Sequence, residues 1–330
     1  MKKIINNPND VVKEMLQGMA KSDPSIRYIA DSDIIVRSQK ADKVGILTGG
    51  GSGHEPAHAG YVGYGMLDAA VAGNVFASPG CDAVERGIHE VDSGKGVLMI
   101  IKNYSGDIMN FQMAKELAEL DGIDVDYVIV KDDVAVPDST YSAGRRGIAG
   151  TVFVHKIAGA KAEAGASLPE VKAVAQKVVD NVRSMGMSMA SCVLPGVGKA
   201  GFTLGEDEIE IGMGIHNEPG VARTNVKRAD ELAQILLRHV MDDFDYSNSE
   251  VAVMVNGLGG TPLMELYILF NEVEKILSQN NIRIYRSFIG NYMTSLEMPG
   301  CSVSLLKLDD ELKELLDAPC STSGWTQFAK

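Results

Sequence analysis

Apolar positions along the chain follow two alternating rhythms. Val11, Val12, Met15, Leu16 and Met19 recur at three-to-four spacing, so residues 8–21 are expected to form an amphipathic helix. Short unbroken apolar runs follow at 43–48, 96–101 and 125–130. Such runs are expected of strands buried on both faces, with helices between them. Residues 111–120 have helical spacing, and helices are expected again at 151–164 and 168–185. The pattern then restarts. Residues 208–212 alternate as a strand, 251–255 form a second buried run, and 282–289 and 302–308 complete the set. Thr261 as N-cap and Pro262 as first helical residue predict a helix over 262–278. This alternation predicts two α/β domains, each a mostly parallel or mixed sheet flanked by helices. Ser184-Met185-Gly186-Met187-Ser188 breaks the helical pattern, so the domains are expected at 1–186 and 187–330. No internal repeat and no low-complexity segment is visible.

Composition narrows the function. The 330 residues are 45% apolar and 23% charged, which is ordinary for a globular chain. Thirty-one basic against 44 acidic residues leave a net charge of −13, and no basic run offsets it. Such a surface repels nucleic-acid phosphates, so no nucleic-acid partner is expected. There is no apolar stretch of about 20 residues to cross a membrane. The N-terminal residues lack the apolar core of a signal peptide. The expected location is cytoplasmic. Cys81, Cys192, Cys301 and Cys320 show no metal or redox spacing and are expected to be reduced, mostly buried thiols.

The chemistry collects in loops that follow the predicted strands, where open α/β sheets bind ligands. Gly49-Gly50-Gly51-Ser52-Gly53-His54-Glu55-Pro56 has no Gly-Lys-[Ser/Thr] and so is no P-loop. It also fails the dinucleotide fingerprint, because His54 or Pro56 stands at the last glycine position. His54-Glu55-Pro56-Ala57-His58 matches a zinc-peptidase pattern. Pro56 and the preceding glycines deny it the helix that would put both histidines on one face. What remains is a glycine turn that lets a ligand approach the backbone, with His54 beside it; a tight turn with a packed histidine is the plainer alternative. Asp107, past the second buried run, is a candidate base or an ordinary turn aspartate. His216 stands between Gly214 and Pro219-Gly220 in the other half. Arg145 and Arg146 fit either an anion site or structural ion pairs. His58, His89, His155 and His239 are expected to be structural or on the surface.

Five segments occur together in order. They are the glycine run through Pro56, Ile101-Lys102-Asn103-Tyr104-Ser105-Gly106-Asp107, Gly144-Arg145-Arg146-Gly147, Gly214-Ile215-His216-Asn217-Glu218-Pro219-Gly220 and Met293-Thr294-Ser295-Leu296-Glu297-Met298. From its first helix to its C-terminus the chain resembles the K subunit of bacterial dihydroxyacetone kinases, the substrate-binding subunit. The resemblance implies a substrate site near the domain interface. It implies that His216 binds the ketone covalently as a hemiaminal, that Asp107 accepts the proton of the terminal hydroxyl, and that His54 hydrogen-bonds the substrate. Gly51, Ser52, Gly53 and Lys102 would line the site. No metal or cofactor is expected on this chain, which carries no nucleotide motif and has no room for a nucleotide domain after the K region. The resemblance therefore implies the phosphotransferase-system form, in which an L subunit with ADP and magnesium donates the phosphoryl group and an M subunit recharges it. A homodimer is also implied.

One stretch departs from the family. Gly80-Cys81, in Ala77-Ser78-Pro79-Gly80-Cys81-Asp82, replaces the usual Thr-Pro. That leaves open another short ketose as substrate, or a K-like paralogue that senses dihydroxyacetone as a transcriptional coactivator.

Overall fold

A computed structural model describes residues 2–137 and 144–329. The first half builds a six-stranded sheet from β1 (Ile26–Ile29), β2 (Ile34–Arg37), β3 (Gly45–Ser52), β4 (Ala69–Val75), β5 (Val97–Lys102) and β6 (Val125–Val130). Its order is β1-β2-β4-β3-β5-β6. Strands β4, β3, β5 and β6 are parallel, and β1 and β2 add an antiparallel edge. Around it lie α1 (Val11–Ser22), α2 (Cys81–Val91), α3 (Ser105–Leu120), α4 (Thr151–Glu163) and α5 (Leu168–Asn181). The second sheet comprises β7 (Val182–Ser188), β8 (Glu208–Ile211), β9 (Ala222–Asn225), β10 (Glu250–Gly257), β11 (Arg283–Gly290) and β12 (Gly300–Leu308). It runs β11-β10-β12-β7-β8-β9 and is antiparallel except for β10 against β11. Helices α6 (Ala229–Asp243), α7 (Leu263–Gln279) and α8 (Asp310–Asp317) complete the chain. Both sheets thus have the mixed α/β character expected from the alternation.

Side-chain alternation explains the layering. Ile46, Leu98 and Ile100 point to one core, while Leu47, Met99 and Ile101 point to another that holds α2 and α3. In the second sheet Val251, Val253 and Val255 face α6 and α7, whereas Ala252 and Met254 face α4 and α5. Helices α4 and α5 are therefore the middle layer between the two sheets. Residues 152–160 of α4 are all buried, the signature of a helix without a solvent face.

Three local expectations change. Strand β3 does not stop before its glycines but continues to Ser52. It does so because β4 and the turn after it run close: a Cβ on Gly49 would stand 2.5 Å from the Val71 carbonyl, and one on Gly51 2.6 Å from the Ala77 nitrogen. Thr261 does not cap α7. Pro262 is the N-cap, and the Thr261 hydroxyl donates instead to the Gly300 carbonyl at 2.7 Å. Residues 184–188 are the body of β7, so a division at 186/187 falls inside a strand of the second sheet.

The middle layer carries a buried histidine with a consequence for acid stability. Burial, and then the Lys102 charge, push His155 down to about 3. Below the unfolded value of about 6.5 the unfolded chain takes up a proton that the folded chain refuses. Stability should therefore fall as the pH drops from about 6.5 towards 3, by up to about 1.4 kcal/mol per pH unit from this one group. Urea unfolding at pH 7, 6 and 5 checks this. The His155→Gln variant should have a visibly shallower pH slope than the parent, and an unchanged slope would refute the assignment.

Candidate functional site

The C-terminal ends of all four parallel strands open on one side of the first sheet. They deliver Gly53-His54 after β3, Phe76 after β4, Tyr104 and Asp107 after β5, and Asp132-Asp133 after β6. The segment around Asp107, read as a loop, is the first turn of α3, which begins at Ser105. Asp107 therefore sits at the positive end of a helix dipole and is almost fully buried. The Lys102 ammonium lies 3.7 Å from its Oδ2, beyond hydrogen-bond length. That ammonium is buried, has no hydrogen-bond partner among the described residues, and lies 5.0 Å from the centre of the Tyr104 ring. Gly50 admits it: a Cβ there would be 3.0 Å from Lys102 Nζ and 3.5 Å from Asp107 Oδ2.

His54 is wholly buried. Its Nδ1 is 2.8 Å from the Thr294 carbonyl, which can only accept. The proton is therefore on Nδ1, and Nε2 keeps a lone pair. That Nε2 is buried and has no partner among the described residues. The ring stacks on Phe76 at 5.1 Å and meets the His216 ring edge-on at 4.7 Å. Burial first, then the nearby His216 and Lys102, push its pKa well below the imidazole range, so the ring is neutral at pH 7. Phe76 holds a left-handed backbone, φ 58°, unusual for so bulky a residue.

His216 reaches the same place from the second sheet, in the turn after β8. Its side chain is 14% exposed, and it packs edge-on against Tyr104 at 4.5 Å and Phe76 at 5.4 Å. Asn217, at φ 60°, folds the chain back so that Glu218 clasps the histidine two residues earlier. The His216 backbone N–H donates to Glu218 Oε2 at 2.6 Å, and Nδ1 lies 3.1 Å from Oε1. Burial pushes the Glu218 carboxyl up, but His216 and Arg146 outweigh it and hold it at about 2. An ionised carboxylate only accepts, so Nδ1 is the donor, which leaves Nε2 as the ring nitrogen that can offer a lone pair. His216, Gly51, Phe76, Tyr104, Asp107 and Leu194 line a cavity of about 550 Å³.

The loops of the two halves are tied together by the segment after β11. Thr294 N–H donates to the His54 carbonyl at 3.1 Å and Leu296 N–H to Gly53 at 2.7 Å, while the Ser295 hydroxyl donates to Ile215 at 2.7 Å. One tripeptide thus fixes the backbones beside both imidazoles. Its role, and those of Glu218, Phe76 and Tyr104, were not read from the sequence. The spacing His216-Asn217-Glu218 was the available signal, since an acid two residues on can reach back to the histidine through a tight turn.

Other expected residues resolve differently. Ser52 and Gly53 sit at the end of β3, but the Ser52 hydroxyl is turned to the Gly73 carbonyl at 2.7 Å. Arg145 and Arg146 are structural cations, paired with Asp243 and Asp133 respectively. Ser78 lines the cavity, while Gly80 caps α2 and Cys81 opens it. All four cysteines are free thiols. The zinc pattern has no helix beneath it. His58 Nδ1 pairs with His155 Nε2 at 3.1 Å, and among the described residues the only cluster of metal-capable side chains is Glu85, His89 and Asp121 on the surface.

Such a site, with two imidazoles, a buried carboxylate and an ammonium at or beside a small cavity, suits capture of a small polar electrophile. The chain belongs to the Dak1 domain family, whose model matches residues 17–324. It is 49% identical to the Listeria innocua protein named PTS-dependent dihydroxyacetone kinase 1, dihydroxyacetone-binding subunit, over 98% of this chain and 100% of that one. It is 43% identical to the corresponding subunit of the PEP-dependent kinase of Escherichia coli, over 98% of each. Among solved structures, a dihydroxyacetone kinase operon co-activator superposes with a TM-score of 0.91 at 36% identity, covering 95% of this chain and 98% of that one. The dihydroxyacetone kinase of C. freundii gives 0.90 at 35% identity, over 99% of this chain but 60% of that longer one. No helix among the described residues is long and apolar enough to cross a membrane.

Because its donor atoms diverge, the His54-Glu55-Pro56-Ala57-His58 segment should hold no zinc. Elemental analysis of the purified chain should find no stoichiometric zinc, and exhaustive chelation should leave ketone binding unchanged. Binding that is lost with EDTA and restored with zinc would overturn this.

Proposed function

We propose that this chain is the dihydroxyacetone-binding subunit of a phosphotransferase-system-dependent dihydroxyacetone kinase, a phosphoenolpyruvate–glycerone phosphotransferase. The observation that carries the reading is His216, a partly exposed imidazole at the cavity whose Nδ1 is held by an ionised Glu218. That arrangement leaves Nε2 free to attack a carbonyl carbon. The N–C bond forms from the Nε2 lone pair, and the carbonyl π pair moves to oxygen, which takes up a proton from water. The Nδ1 proton of the ring passes through Glu218 to the hydroxide that this leaves, giving a neutral hemiaminal with no net change in water or in Glu218. Covalent capture selects a ketone over glycerol, where one hydroxyl-sized difference gives only about 10–200-fold discrimination.

The captured ketone then presents a terminal hydroxyl to the first turn of α3. Asp107 accepts its proton as phosphoryl transfer proceeds, and the unpartnered His54 Nε2 accepts a hydrogen bond from the substrate, the only role its tautomer allows at that nitrogen. Lys102 supplies positive charge beside Asp107 and the incoming group. The chain's part is to hold the acceptor still, since phosphoryl transfer rests mainly on positioning and charge stabilisation. The donor belongs to a separate L subunit carrying ADP and magnesium, recharged by an M subunit. The subunit acts as a homodimer, in the cytoplasm.

A second reading is a ketone-sensing coactivator, favoured by the co-activator superposition at TM-score 0.91. The 49% identity to a kinase subunit, against 36% to the co-activator, weighs towards the kinase.

Carbon NMR with dihydroxyacetone labelled at the carbonyl tests the capture. The ketone signal should move to the hemiaminal region with the parent chain and stay in place with His216→Ala. Asp107→Asn should keep the adduct and lower phosphoryl transfer from an ADP-loaded L subunit by at least about 100-fold, the usual range for a lost general base. Normal turnover in that variant would refute the base assignment, and an adduct without turnover in the parent would favour the sensor.

A further inference from the structure

His216 is held by Glu218, but Glu218 is not anchored by its own loop alone. Behind it lies Arg146, whose guanidinium is 1% exposed although it comes from the segment after β6 in the first half of the chain. Arg146 Nε donates to Asp133 Oδ2 at 2.7 Å, and Nη2 donates to the Gly212 carbonyl at 2.8 Å. Asp133 is fixed in turn by the Ala135 N–H at 2.9 Å, and its own N–H donates to the Arg146 carbonyl at 3.1 Å. The remaining nitrogen, Nη1, faces the Glu218 carboxylate across Gly214. A Cβ on Gly214 would fall 2.7 Å from Nη1 and 2.3 Å from Glu218 Oε2, so the two groups flank a position that only a residue without a side chain can occupy, and they act on each other through charge and not through a direct bond. The guanidinium is therefore bonded to an acid and a carbonyl, with the charge of a second acid beside it.

We propose that Asp133 and Arg146 are positioning residues for His216, acting through Glu218 to keep its imidazole in the Nδ1–H form with Nε2 free for the ketone. The proposal rests on the reading of His216 as the capturing nucleophile. Its logic is charge as well as geometry. Asp133, Arg146 and Glu218 sum to one negative charge in a buried cluster, and the attacking imidazole is the group that becomes positive. The cluster stabilises that transient charge while Arg146 offsets half of the acid charge. Without Arg146, two buried carboxylates would favour a protonated imidazole, which has no lone pair to offer. A buried ion pair is weak evidence for stability in itself, and a role in orientation accounts for its cost.

The test compares the parent chain with Arg146→Met, Arg146→Lys and Gly214→Ala. Each is first checked for folding by thermal melting. Nitrogen NMR of the His216 ring then reads the tautomer, and carbonyl-labelled dihydroxyacetone reads the adduct. Removing the outer partner of an oriented imidazole weakens the function of that imidazole by on the order of 10–100-fold. Arg146→Met should weaken adduct formation by that factor and shift His216 towards the protonated or mixed-tautomer spectrum. Arg146→Lys should recover part of both. Gly214→Ala, which displaces Glu218 without removing a charge, should perturb the tautomer on its own, so the proposal stays testable if the arginine variants fail to fold. Folded variants with the parent's tautomer and adduct affinity would overturn it. If the parent chain forms no adduct, the capture reading fails, and the tautomer shift still decides whether Arg146 positions the ring.

Discussion

Two imidazoles, each from a different sheet, meet at 4.7 Å because a single strip of backbone holds both. Thr294 bonds His54 through its carbonyl and its N–H, and Ser295 bonds the carbonyl of the residue before His216. The placing of the two rings relative to each other rests on that strip. It sets which nitrogen of His54 bears the proton and how far the His216 turn can approach. It does so with backbone groups and one serine hydroxyl, none of which has a pKa near neutrality. The histidines can then be electronically adjustable while their positions are not.

Much of this organisation was legible in the sequence, for identifiable reasons. Buried parallel strands are continuous apolar runs, and 96–101 and 125–130 coincide closely with β5 and β6. Glycine clusters at strand ends pointed to ligand loops; Asp107 and His216 line one cavity, and the buried His54 ring lies against His216 behind it. What failed were features set by neighbours distant in sequence. Gly49 to Ser52 look like a loop because glycine disfavours strands, yet the approach of β4 and of the turn at Phe76-Ala77 requires bare α-carbons there. Thr261 has the chemistry of a cap, but the Gly300 carbonyl competes for its hydroxyl. The antiparallel character of the second sheet was equally hidden, since an antiparallel strand such as β12 can be buried on both faces as fully as a parallel one.

The supporting residues were the hardest to see. Glu218, Arg146 and Thr294 act through other residues, so no motif of their own announces them. Arg146 in particular reads as an anion-binding side chain in Gly144-Arg145-Arg146-Gly147. Only the fold reveals that its partners are Asp133, thirteen residues earlier, and a glycine-lined turn in the other half. Local sequence can nominate a reactive group; what holds that group in its working state is distributed over the topology.

The buried middle layer has a consequence for how such a chain can change over generations. Helix α4 is buried along its length, packed on β3 and β5 of the first sheet and on α5 and α8, with Phe153 also meeting Phe288 of the second sheet, so its side chains answer to neighbours from both halves. The halves look like modules in the order of their elements, yet they share this component and cannot be exchanged piecemeal with those of a relative. Recombination within the chain would carry a penalty that recombination at its ends would not. Diversification should therefore concentrate in the loops at the strand ends and in whatever is fused to or docked on the outside, while the interior changes slowly and in concert.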